Sequence, residues 1–187
     1  MGMYKDVMGT LVRVLAADNI DNSTKQSWQK LIDADLRQGG NGSTLSPRDK
    51  FDYDCCLYAL LHRQLEPAKW DVLVAKYSTH KANKVAAIGR LVSRISSPAP
   101  QLFIYKALTA WAIPKLKGIQ SDKRSTDMIV LPAEFYDMNS WDVDGKPEST
   151  RRRWKTGIAK RLESLEEAAV VHATEIFDRE QIFIDAA

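Results

Sequence analysis

The stretch that most constrains the fold lies near the C-terminus, where Trp154, Ile158, Leu162, Leu165, Ala169, Ala173 and Ile176 recur at three- and four-residue spacing. That spacing puts all seven on one apolar stripe of an α-helix, and such a stripe has to be buried against other elements. The helix is expected over residues 147–178. Asp144 and Gly145 are turn formers ahead of it, and Pro147 has a φ suited to a first helical turn, with Ser149 or Thr150 as alternative caps. Its first turns carry Arg151, Arg152, Arg153 and Lys155, mostly off the stripe. Basic side chains are disfavoured by the dipole at a helix N-terminus, while phosphate is favoured there, so the cluster points to an anionic partner. The plainer alternative is a solvated basic face balanced by Glu163, Glu166 and Glu167.

The rest of the chain supplies the helices to cover that stripe. Residues 3–16 place Tyr4, Val7, Met8, Leu11, Val12 and Leu15 on one face, and a second helix from about residue 23 carries Trp28, Leu31, Ile32 and Leu36. A glycine-rich loop at 38–45 follows. It has no Gly-Lys-Ser/Thr and no preceding strand, so it is not a nucleotide loop. Ser46-Pro47 starts a third helix whose set of Phe51, Cys55, Tyr58, Leu61 and Leu65 is expected to face inward. Ser96 to Pro100 and Pro114 bracket a further helix with Leu102, Phe103, Leu108 and Trp111. A polar, basic linker is expected at 115–126, then a short strand at 128–131 closed by Pro132, and a helical turn at 134–137. The final 181–184 is expected to pair with that strand or cap the bundle. The fold class is therefore mainly α: a compact helical bundle in a single domain over 1–187, with a long C-terminal helix and at most one short strand pairing.

Charge is informative in its distribution. The net charge is only +3, but no acidic residue lies between Asp71 and Asp122, while Lys76, Lys81, Lys84, Arg90, Arg94, Lys106, Lys115 and Lys117 do. Within this basic half, region 67–96 reads as helix, three-residue turn, helix. Pro67 opens the first helix with Trp70, Leu73, Val74 and Tyr77, and Thr79 is placed to cap the second, with Val85, Ile88, Leu91, Val92 and Ile95. On a helix-turn-helix reading, Lys76, His80, Lys81, Asn83, Lys84, Arg90 and Arg94 are the candidates to meet base edges and phosphates. A plain helical hairpin produces the same pattern.

Catalytic and metal chemistry find no footing in the residues. His62, His80 and His172 lack ligand spacing, Cys55 and Cys56 have no nearby histidine base, and the aspartate pairs 52/54 and 142/144 suit turns and caps. No enzyme activity, cofactor or metal is expected. Two adjacent cysteines, no leader-like N-terminus and no apolar run approaching eighteen residues make the expected setting the cytoplasm.

Three segments together resemble the Q-type late-gene antiterminators of bacteriophages and a related small phage family. They are Trp70 to Leu91 (WDVLVAKYS…KVAAIGRL), Ala107 to Trp111 (ALTAW) and Trp141 to Trp154 (WDVDGKPESTRRRW), within about residues 50–178. The resemblance implies a protein that binds double-stranded DNA at a late promoter, loads onto bacterial RNA polymerase carrying its sigma factor, and suppresses pausing and termination. Some members carry a zinc-finger insertion, for which this chain has no cysteine pairs. Lys81, Lys84, Arg90 and Arg94 would then serve DNA, and Arg151, Arg152, Arg153 and Lys155 would serve DNA, RNA or an acidic polymerase surface. The alternatives are a promoter-bound helix-turn-helix regulator and a phage-encoded module that inhibits a host protein.

Overall fold

A computed structural model describes residues 6–17, 47–115 and 129–182. The helix expected from residue 23, the loop at 38–45 and nearly all of the linker at 115–126 lie outside the described residues. The chain is mainly helical: α1 (Val7–Ala17), α2 (Pro47–Gln64), α3 (Pro67–Tyr77), α4 (Lys81–Val92), α5 (Gln101–Ala112) and α6 (Glu148–Arg179). Two 3-10 turns, Ala133–Tyr136 and Met138–Trp141, stand between α5 and α6. Residues divide into two compact units, 1–65 with 170–187, and 66–169, so α6 contributes to both.

Of the short strand expected at 128–131, the described residues Ile129 to Leu131 form none, and Met128 lies outside the described residues. Ile129, Val130 and Leu131 run without strand pairing straight into the first 3-10 turn, and no strand exists among the described residues. Pro132 lacks the N–H a ladder needs. Of the expected 181–184 pairing, 183 and 184 lie outside the described residues, and Gln181 and Ile182 make no strand but close α6. Gln181 adopts a left-handed φ of 54° and the Ile182 N–H donates to Phe177 O at 2.9 Å, a Schellman-type stop.

In the first unit α1 packs on α2, with Leu11, Val14, Leu15, Leu57, Leu61, Leu65, Ala173, Ile176 and Phe177 buried. Cys55 is exposed, which corrects its expected place in the core. Its neighbour Asp54 is turned inward instead, accepting a 2.7 Å bond from Arg13 Nε. Its partner lies 41 residues away, and spacing alone carries no sign of that pairing.

In the second unit α3 packs on α4 and α4 on α5, and the first half of α6 buries Ile158 and Leu162. Burying those two side chains contributes about 2–3 kcal/mol each. Pro67 sits in the first turn of α3, and α5 ends where Pro114 forces Ile113 out of helical geometry, to φ −126° and ψ 82°. The entry to α6 is set by Asp142, a buried carboxylate accepting the N–H groups of Asp144 (3.2 Å) and Lys146 (2.7 Å). Gly145 supplies the φ of +64° the turn requires. Trp141 anchors this turn: its Nε1–H donates to Phe135 O at 2.7 Å, and its ring meets Phe103 edge-on at 5.5 Å. Phe103 also meets Trp154 of α6 at 5.5 Å.

Candidate nucleic-acid interface

The helix, turn and helix at 67–96 form as expected, but the basic residues of this pair are largely committed within the protein. The turn is Ser78-Thr79-His80, and His80, not Thr79, caps α4: its Nδ1 accepts the Asn83 N–H at 3.2 Å. His80 is held there by its own N–H, which donates to Ser78 Oγ at 3.1 Å. The ring is therefore committed to the helix start, and Asn83 is half-buried beside it.

Lys84 departs furthest from the expectation. A candidate for base edges or phosphates must face solvent, yet Lys84 is 8% exposed, and Nζ donates to Lys76 O at 2.9 Å and Ser78 O at 3.2 Å. Those carbonyls lie at the C-terminus of α3, where the dipole and the unsatisfied acceptors favour a cation. Burial nevertheless pushes the ammonium down to about 8. This side chain staples α4 to α3 and does not project toward a groove.

Arg90 and Arg94 are drawn to Asp71, a carboxylate buried in α3. Arg90 donates to Oδ1 through Nε (2.9 Å) and Nη2 (2.7 Å), and Arg94 Nη1 lies 3.3 Å from Oδ2, an ion pair without hydrogen-bond alignment. The hydrogen bonds that Arg90 donates to Asp71 raise its guanidinium above its ordinary value, against a lowering by burial. Lys76 is matched too. Its Nζ donates to Glu166 Oε2 at 2.9 Å and sits 4.3 Å over the Trp111 ring. Tyr77 donates to the other oxygen of Glu166, and burial, reinforced by that carboxylate, raises the phenol well above its ordinary range. Of the helix-turn-helix candidates, Lys81 is exposed at the start of α4, and Arg90 and Arg94 are exposed while paired to Asp71. The outward side of α4 is otherwise Ala82, Val85, Ala86 and Gly89, which offer no hydrogen bonds to base edges.

The C-terminal cluster behaves differently. Arg151 is half-buried, with its Nε enclosed. Arg152, Arg153 and Lys155 are exposed; Arg152 pairs with Glu148 at 2.6 Å across one turn, a solvent-screened contact, and Lys155 sits 5.1 Å over Trp141. Two residues absent from the sequence-based set join them, Lys160 and Arg161, both exposed on the next turns. No acidic residue lies between Glu148 and Glu163, so 149–162 is an acid-free run with six basic residues. The signal was available in that spacing. The balancing role expected of Glu166 is spent on Lys76 and Tyr77. The unit as a whole holds 18 basic and 12 acidic residues, a net +6, against 9 and 12, a net −3, for the other.

Among the described residues no group of three potential ligands is placed to hold a metal ion, and no helix is long and apolar enough to cross a membrane. No family model, curated protein or solved structure matches the chain.

Proposed function

We propose that the chain binds double-stranded DNA through the outward basic face of α6 and acts in transcription regulation. The observation that carries the DNA reading is the acid-free run at 149–162, whose Arg152, Arg153, Lys155, Lys160 and Arg161 are all exposed while the basic residues of α3 and α4 are mostly engaged internally. Five exposed cations within fourteen residues, with only the solvent-screened Glu148 paired among them, meet the electrostatic requirement of a phosphate backbone. The transcriptional role, loading onto bacterial RNA polymerase with its sigma factor to suppress termination, rests on the resemblance to Q-type antiterminators alone. Lys81 is a secondary contact in this reading.

The test is duplex binding by fluorescence anisotropy over a range of salt concentrations. Arg152→Glu with Arg153→Glu should weaken binding by at least about tenfold and flatten the slope of log K against log salt by about 2, one per lost phosphate contact. Lys81→Glu should have a smaller effect. Unchanged affinity in the double variant would refute the surface assignment. A pull-down from nuclease-treated bacterial lysate then separates the roles: retained polymerase supports antitermination, and its absence favours a regulator that stays at the promoter.

A further inference from the structure

α6 keeps its two signs of charge apart. Residues 149–162 hold six basic residues and no acid, whereas 163–178 hold five acidic residues and no lysine or arginine. At 3.6 residues per turn, Arg153, Lys160 and Arg161 project within about 60° of Ser164, away from the buried Leu162 and Ala173. Glu167, Glu175 and Asp178 project onto the same side, and all six charged residues are exposed. None of the six forms an ion pair with another described residue. The outward face of one helix therefore carries both signs in two blocks, and neither block is spent within the chain. Among them run the exposed Ser164, Ala168 and Val171, the last 55% exposed.

A second copy of the same helix, laid antiparallel, satisfies both blocks at once. With a two-fold axis at Ser164, Arg153 of one copy comes level with Glu175 of the other, each eleven residues from Ser164. Arg161 comes level with Glu167, each three residues from it. The symmetry repeats each pair, giving four cation–carboxylate pairs spread over about 33 Å of helix, with Ala168 and Val171 in the seam. A parallel arrangement sets like charge against like. Duplex DNA has one sign and meets only the basic block. A partner that matches the whole face needs an acidic half and a basic half in reverse order, and this chain itself carries that pattern.

We propose that the outward face of α6 is a self-association surface, on which α6 of a second copy packs antiparallel to form a two-fold dimer. This goes beyond the DNA reading and does not depend on it. A phosphate backbone and the second copy call on the same Arg153, Lys160 and Arg161, so duplex and dimer are alternative occupants of those cations.

Sedimentation velocity of the full chain is the test. At about 0.05 M salt the parent should move toward twice the monomer mass as its concentration rises to about 100 µM, and near 1 M salt, where the screening length is about 3 Å, it should return to monomer. Glu167→Lys with Glu175→Lys should abolish the shift, as should Arg153→Glu with Arg161→Glu. An equimolar mixture of these two variants should restore it, because all four pairs re-form with their signs exchanged; misfolding cannot produce that rescue. A parent that stays monomeric at low salt overturns the proposal. So does a dimer that survives either reversal, or a mixture that fails to associate. Excess duplex should convert the parent dimer to complexes containing one copy. A dimer that binds duplex intact overturns the shared use of the cations, and one that ignores duplex counts against the DNA reading alone.

Discussion

Lys84 gives the sharpest quantitative prediction. Its ammonium is enclosed between α3 and α4, and burial holds its pKa at about 8 against an ordinary 10.5. At about 1.36 kcal/mol per pH unit, keeping the proton costs the folded protein about 3 kcal/mol at neutral pH. The sign follows from which state holds more protons. Below pH 8 both states are protonated and the cost is fully present. Between pH 8 and 10.5 the unfolded chain keeps a proton that the folded protein has released, so stability rises with pH. Above 10.5 the cost is gone. Lys84→Met keeps an unbranched side chain and removes the titration. The difference in unfolding free energy, parent minus Lys84→Met, should therefore increase by about 2.5 kcal/mol between pH 7 and pH 10, measured by urea denaturation. Tyr77 and the other alkaline groups titrate in both proteins and cancel in the difference. A difference that stays flat over this range would refute the buried placement of Lys84, and with it the claim that this lysine is unavailable to DNA.

Two further outcomes follow from the same unit. Asp71→Asn removes a buried charge that Arg90 and Arg94 converge on. Because the arginines left behind are substantially exposed, the cost should fall below the ~3–5 kcal/mol of a pair that leaves a buried charge uncompensated, at about 1–2 kcal/mol, and denaturation would read it; a loss below about 0.5 kcal/mol would contradict the geometry. Gly145→Ala places a Cβ at φ +64° in the turn that launches α6, and should lower the melting temperature through a loss of about 1 kcal/mol, with the helix content unchanged.

The helices were legible because their signals are local. Proline at Pro67 and Pro114 and three- to four-residue apolar spacing placed α3, α5 and α6 within a residue or two of their observed bounds. What was illegible depends on partners distant in sequence. Ile129, Val130 and Leu131 have the composition of a strand, but pairing needs a second strand, which no local pattern reports. His80 took the capping role assigned to Thr79 because an imidazole nitrogen at that position can accept the same N–H. Cys55 is exposed while its neighbour Asp54 is buried against Arg13, a partner that no local spacing reports.

The same reasoning explains why the densest basic stretch of the sequence is a weak guide to where an anion binds. The segment between Asp71 and Asp122 counts eight cations and no acid. Four of them are nonetheless bound inside the folded unit: Lys84 to two carbonyls, Arg90 and Arg94 to an aspartate at the segment's edge, and Lys76 to Glu166, 90 residues away. A cation already held by a buried carboxylate gains little from a phosphate, because the new contact must be made at the expense of the old one and leaves the carboxylate unpaired. The cations that can release counterions are those whose present alternative is water or a screened surface contact, as on the outward side of α6. Exposure of unopposed charge, not its density along the chain, therefore selects α6 over α4 as the surface to test first.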